Sequence, residues 1–250
     1  MNNIIHLNTI DSTNRYAKDL FAEFADNTLV TADSQTAGRG RRGRTWFSPP
    51  GMNLYASYIV KNPSFPAGRV LWCGGLAALS VLQEYCSLDN AWLKWPNDIC
   101  CSSPGIPERY RKIAGLLAET TTYPGSSTLD GVIAGIGINL NMPPELLEQI
   151  DKPATSVFTE TGYLTDSAEF AEKLLDKLVY YRTLAEERPD EFFGLWRDKN
   201  GLAGKMIVIR TPDGGKAAGT VTDVTPDGAL VLTDESGVSC TVTAGDVYPQ

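Results

Sequence analysis

Apolar residues recur along this chain in two rhythms, and the points where one gives way to the other mark out its elements. Near the N-terminus a short strand through Thr9 and Ile10 leads into Asp11-Ser12-Thr13-Asn14. These polar residues suit a helix start, and Tyr16, Ala17, Leu20, Phe21 and Phe24 then fall on one helical face. Strands are predicted over residues 28–32 and 53–60, the second following the turn-forming Pro49-Pro50-Gly51. The nearly all-apolar run 70–85 reads as a buried helix, and residues 91–95 as a short strand stopped at Pro96, whose ring disfavours a regular continuation.

Two long β-type runs, residues 112–122 and 130–140, are joined by the turn-rich residues 123–127 and are expected to pair as a hairpin at the centre of the sheet. Asp166 with Glu169 has the spacing of a capping box before a helix carrying Phe170, Ala171, Leu174, Leu175, Leu178 and Val179. Pro189 separates this helix from a last one through Trp196. After Asn200-Gly201 the texture changes to short strands at 205–210, 217–223, 229–233 and 238–243, separated by glycine-bearing turns. Such even spacing predicts a small antiparallel barrel of about fifty residues. The expected fold class is α+β, a mixed central sheet flanked by helices over residues 1–200 with a small β-barrel over residues 201–250.

Composition narrows the function classes. A chain of 250 residues that is 42% hydrophobic can bury a large core. Its 22 Lys and Arg stand against 30 Asp and Glu, a net charge of -8, which argues against the broad basic face of a duplex nucleic-acid binder. Cys73, Cys86, Cys100, Cys101 and Cys240 form no CxxC pair, and with a single histidine, His6, they suggest neither a disulfide framework nor a zinc site. The first residues lack the basic and apolar regions of a signal peptide and no apolar run is long enough to span a bilayer, so the expected location is cytoplasmic, with no membrane partner.

Candidate chemistry concentrates in residues 34–46, where Arg39, Arg41, Arg42 and Arg44 alternate with Gly38, Gly40 and Gly43 and the run ends at Trp46. Glycines let backbone N–H groups approach a ligand, and guanidinium groups suit phosphate or carboxylate oxygens. Taken alone, the run reads equally as a solvated basic loop or a nucleic-acid patch. Three further segments set polar groups in apolar surroundings: Lys94-Trp95-Pro96-Asn97-Asp98, Arg111-Lys112-Ile113-Ala114-Gly115 and residues 135–141. A lysine bounding an apolar strand must reach solvent or meet an anion. Asp98 alone also reads as a turn former, and Gly135 and Gly137 as aids to close sheet packing.

Together and in this order, the segments resemble the biotin protein ligase family: DSTN at 11–14, QTAGRGRRGR with the following Trp46, Ser48 and Pro49, KWPND at 94–98, KIAG at 112–115 and GIGIN at 135–139. The resemblance implies a biotin/lipoate ligase-like catalytic domain with an SH3-like C-terminal barrel. It implies an ATP-dependent ligase with Mg2+ as cofactor and biotin as substrate. Such an enzyme makes biotinyl-5'-AMP and then transfers biotin to a lysine of the biotin carboxyl carrier domain of a biotin-dependent carboxylase. The first step joins two anions, which fixed positive charge must hold in line.

By matching motif positions, the resemblance assigns catalysis to Lys112, Arg41 and Arg39. It sets Ser12, Thr13, Asn14, Gln35 and Gly115 against biotin, and Gly38, Arg39, Gly40, Arg41 and Lys112 around its tail and the phosphates. Trp46 would wall the adenylate and Asn139 read the adenine edge, with Lys94, Asn97 and Asp98 on the nucleotide side and Asp98 the candidate metal ligand. Leu116, Ala118, Ile133 and Ala134 are candidates to line the biotin pocket, or are ordinary sheet core. Residues 36–50 are expected to be mobile until ligand binds.

Two departures from the family stand out. Ten residues precede Asp11, too few for the N-terminal winged helix of many bacterial members, so the expectation is a monofunctional ligase that binds no DNA. Residues 101–110 form an insert longer than a tight hairpin needs, expected on the surface and within reach of the acceptor. A homodimer through the main sheet is an option, as bacterial relatives are often dimers. The competing readings are a lipoate or octanoate ligase or transferase of the same fold, whose nearby histidine or nucleophilic cysteine is not matched here, and a nucleic-acid binding module.

Overall fold

The computed structural model describes residues 3–103, 106–123 and 129–249. Its first sheet is built from β1 (Ile4–Ile10), β2 (Thr28–Gln35), β3 (Asn53–Lys61), β4 (Ala91–Lys94), β5 (Asp98–Ser103), β6 (Ile106–Thr121) and β7 (Gly131–Asn139). The strand order is β1-β2-β3-β7-β6-β5-β4. Only β1 and β2 run parallel, because α1 (Thr13–Asp19) crosses between them; the other pairs are antiparallel, giving the mixed sheet expected.

Eight consecutive residues of β3 are buried, as they must be in a strand covered on both faces. One face carries α2 (Gly68–Glu84), followed along the chain by the short α3 (Pro144–Leu147) and α4 (Val157–Thr161), then α5 (Ser167–Glu187) and α6 (Pro189–Asp198). Leu76, Leu79, Leu82, Phe170, Leu174 and Leu178 belong to the large core cluster on this side. The other face is covered only in part. There Ala17 and Phe21 pack on Val30, Ile59 and Ile133, and α1 ends after seven residues. The helix is shorter than its apolar spacing suggests, yet Phe21 and Phe24 still pack from the turns that follow, Phe24 with its ring 5.8 Å from Tyr16. Beyond α1 the sheet face bears Gly115, Gly135 and Gly137, and that uncovered stretch becomes the cavity floor.

Several expectations change in detail. The insert is no loose surface loop: residues 98–103 form β5, β6 begins at Ile106, and Cys101 is fully buried between β4 and β6, while residues 104–105 lie outside the described residues. β6 and β7 pair as expected, although residues 124–128 of their connection also lie outside the described residues. Asp166 caps α5 by accepting from the N–H groups of Ala168 and Glu169. Glu169 completes no reciprocal box; it accepts from the Tyr85 hydroxyl at 2.7 Å instead.

The C-terminal strands β8 (Met206–Arg210), β9 (Lys216–Val224), β10 (Leu230–Thr233), β11 (Ser239–Val242) and β12 (Asp246–Pro249) form an antiparallel sheet in the order β11-β10-β9-β8-β12. β12 has no counterpart among the predicted strands. A bulge in β9, where Val221 and Asp223 face successive residues of β10, lets both Val221 and Val224 turn inward toward Ile207, Ile209, Leu230 and Leu232. Two contacts seat this sheet on the first: the Trp95 indole donates to Gly228 O at 2.8 Å, and Trp72, stacked 4.2 Å from Trp196, lies under Gly228. All five cysteines are free. No helix among the described residues is long and apolar enough to cross a membrane.

Candidate functional site

A cavity of about 1220 Å³ opens over the part of the sheet that α1 leaves bare. Its floor is set by register. Gly115 of β6 lies opposite Gly137 of β7, and Leu117 opposite Gly135, so glycines cluster on one face at the centre of the sheet. The absence of side chains there is required. A Cβ on Gly137 would lie 2.5 Å from the Trp46 ring, and one on Gly135 would lie 2.4 Å from Asn14 Oδ1. Trp46 thus rests flat on a glycine floor, with Lys112 Nζ 5.1 Å from its ring centroid. Trp46 Nε1 is buried and has no hydrogen-bond partner among the described residues.

At the start of α1, Ser12, Thr13 and Asn14 are buried polar residues, each 3–4% exposed, and the last two are tied into a network. The Thr13 N–H and hydroxyl both donate to Gln35 Oε1, at 2.9 and 3.2 Å, and Gln35 Nε2 donates to Ser48 Oγ at 3.1 Å. Ser57 Oγ lies 2.9 Å from Thr13 Oγ1 and 2.6 Å from Asn14 Oδ1. Asn14 Nδ2 in turn donates to Glu119 Oε2 at 2.9 Å, the same oxygen that Arg39 reaches at 2.6 Å.

The four arginines are not equivalent. Arg39 pairs with Glu119, while Arg42 and Arg44 pair with Asp246 at the start of β12. Arg41 has no carboxylate within salt-bridge distance among the described residues; its Nη1 donates at 2.6 Å to the neutral Asn97 Oδ1. Burial and the neighbouring Arg42 charge lower the Arg41 pKa from its ordinary value, partly offset by Asp98 and Asp246, so its charge is the one left seeking an anion. Asn97 is fixed in turn, Nδ2 donating to Leu116 O at 2.7 Å. The next residue, Asp98, holds Lys112 Nζ at 2.6 Å. Consecutive residues, the last of the β4–β5 turn and the first of β5, therefore hold the two cations, and Lys94, opposite Asp98 in that hairpin, sits over the Tyr110 ring at 5.3 Å. Asn139 is buried, donating to Thr155 O at 2.9 Å.

Ser12, Thr13, Asn14, Gln35, Arg39, Gly40, Arg41, Trp46, Lys94, Asn97, Asp98, Lys112, Gly115 and Asn139 all border this one cavity. Gly38 does not; it sits behind the wall, where a Cβ would lie 2.6 Å from both Ser48 Oγ and Trp46 O. Of the apolar lining candidates Leu116 borders the cavity, whereas Ala118, Ile133 and Ala134 do not. Ile133 packs under α1 and Ala134 belongs to the core on the opposite face, as the two-residue period of β7 dictates. Sequence reasoning passed over Glu119, Ser57 and Asp246. Glu119 had a signal, for it follows Gly115 and Leu117 on the same face of β6. Asp246 had none nearby.

Comparison with known proteins places these motifs in a family. Residues 7–139 match the biotin/lipoate A/B protein ligase family and residues 203–248 the biotin protein ligase C-terminal domain. The bifunctional ligase/repressor BirA of Salmonella typhimurium is 30% identical over 239 residues, 94% of this chain and 71% of that protein. A biotin--[acetyl-CoA-carboxylase] ligase of Mycobacterium tuberculosis is 28% identical over 96% of this chain and 88% of its own length. The structure of biotin protein ligase from Aquifex aeolicus in complex with biotin and ATP superposes with a TM-score of 0.82 at 28% identity, covering 100% of this chain and 99% of that one. With likeness running through both sheets and most of the first one's strands inside the family match, the chain belongs to the biotin/lipoate A/B protein ligase family.

Proposed function

We propose that this protein is a biotin–protein ligase, which activates biotin with ATP as biotinyl-5'-AMP and transfers the biotinyl group to a lysine of a carrier protein. The observation that carries the reading is the pairing of Arg41 and Lys112 with consecutive residues, Asn97 and Asp98, at one glycine-floored cavity. In the first step a biotin carboxylate oxygen bonds to the α-phosphorus, and the bond to the bridging oxygen breaks, releasing pyrophosphate. Arg41 and Lys112 offset the repulsion between the two anions, and Lys112 stays with the acyl phosphate as it forms. In the second step a neutral lysine amine attacks the acyl carbon, AMP leaves and one proton is lost.

The remaining roles follow from position. Thr13, Asn14 and Gln35 present placed polar groups to the biotin head, Ser12 and Gly115 lie against it, and Arg39 with the Gly40 backbone flanks its tail, while Gly38 supports the strap from behind. Trp46 covers the adenylate, Asn139 reads the adenine edge and Lys94 lies by the phosphates. Magnesium carried on nucleotide phosphates needs only one or two protein carboxylates, and Asp98 is the one beside Lys112; the ion would neutralise phosphate charge there. Residues 1–200 form the catalytic unit and residues 201–250 a smaller unit at its rim. The acceptor is the carrier domain of a biotin-dependent carboxylase, in the cytoplasm. A homodimer is compatible with β1 ending its sheet.

Mass spectrometry of a carrier domain incubated with ATP and either biotin or lipoate tests the reading. A single biotinyl adduct with biotin and none with lipoate is the expected result. A lipoyl adduct alone would replace it with the other acyl-ligase reading.

A further inference from the structure

We propose that Asp246, on the C-terminal sheet, is a positioning residue that latches the arginine strap over the cavity and so sets how long the chain retains its acyl adenylate. The retention part rests on the ligase reading; the latch itself does not. Arg44 Nη2 lies 2.6 and 2.7 Å from the two oxygens of Asp246, and Arg42 Nη1 lies 3.3 Å from one of them. Both arginines follow Arg41, whose side chain goes to Asn97 instead. The backbone makes the divergence possible. Arg42 (φ 57) and Gly43 (φ 72) both adopt left-handed conformations, and Gly40 N–H donates to Arg44 O at 2.7 Å, so fixing Arg44 also fixes Gly40.

Charge explains why an acid is needed there. Four guanidinium groups within six residues repel, and two acids sort them: Glu119 takes Arg39, Asp246 takes Arg42 and Arg44, and Arg41 is left for the ligand. Asp246 is placed firmly, opposite Arg210 in the β8–β12 ladder, and the preceding Gly245 has no room for a side chain, since a Cβ would lie 2.1 Å from Ile209 Cγ2. Residues 245–248 border the same cavity as Arg41. Arg44 and Asp246 are 43% and 27% exposed, so the pair adds little to global stability but is well suited to bias one loop between open and closed.

The test uses the full-length protein with Asp246→Asn, Asp246→Arg, Arg44→Asp and the double reversal Asp246→Arg/Arg44→Asp. Hydrogen exchange of residues 38–46 reads the latch without ligand, and adenylate release in the absence of acceptor reads its consequence. Each single variant is expected to speed loop exchange and adenylate release about fivefold or more, with the unfolding midpoint of Asp246→Asn unchanged and the double reversal restoring both rates. Unchanged exchange in the single variants overturns the latch, whatever the enzyme's activity. Faster exchange with adenylate release at the parent rate, or a double reversal that restores neither rate, overturns the positioning role. A parent that makes no adenylate counts against the ligase reading, while the exchange comparison still decides the latch.

Discussion

Lys112 and Glu119 act on the same reaction in different ways, and their variants should separate. Lys112 is tied to Asp98 until a stronger anion arrives, and its charge matters most where negative charge gathers. Lys112→Ala is expected to slow adenylate formation roughly 10²–10³-fold in single-turnover measurements, with biotin affinity changed far less. Glu119 does not border the cavity; it holds Asn14 and Arg39 with one oxygen. Glu119→Gln should weaken biotin binding about tenfold, the size of one lost charge-assisted hydrogen bond, while an isotherm matching the parent would free it of that role. The lysine could be read from the chain because a charge bounding an apolar strand demands an explanation. The partners that sort the arginines could not, since Asp246 lies 202 positions from Arg44.

The floor of the cavity is a property of strands, set by the register that brings Gly115 beside Gly137. Gly137→Ala puts a methyl group against the Trp46 ring, and because that ring hangs from a loop it will yield before the sheet does. A shifted tryptophan emission and a raised KM for ATP, at a stability cost of about 1–3 kcal/mol, are the expected results; unchanged emission would mean that Trp46 does not rest there in solution. The hairpin of β6 and β7 was legible from two long β-type runs. β5 was not: Cys100-Cys101-Ser102-Ser103 carries neither alternation nor strong β formers, and β5 forms because its neighbours β4 and β6 supply partners on both sides. The end of α1 was hidden for a related reason, as Phe21 and Phe24 keep helical spacing while packing from turns.

Across the whole molecule one buried apolar cluster runs from Leu29 and Tyr58 through α2 and α5 to Ile207, Val221 and Leu232 of the C-terminal sheet. Calorimetry should therefore give one cooperative transition, and two resolved peaks would contradict this continuity. Thr211 and Ser236 hydroxyls hold the Asp213 and Asp234 carboxyls below their ordinary 3.8, so folding is favoured fully above that pH and the gain is lost as pH falls through the lowered values. The unfolding midpoint should therefore fall as the pH is taken below about 4. The order of sheet, helix and small C-terminal unit was legible from the motifs. The seating of that unit on Trp95 and on the strap was not, because it joins residues more than a hundred positions apart. The central claim is that this cavity joins biotin to AMP. ATP–pyrophosphate exchange with biotin as the only added acid measures that step directly. The account predicts exchange that requires biotin and nearly vanishes in Lys112→Ala; no biotin-dependent exchange in the parent protein would contradict it.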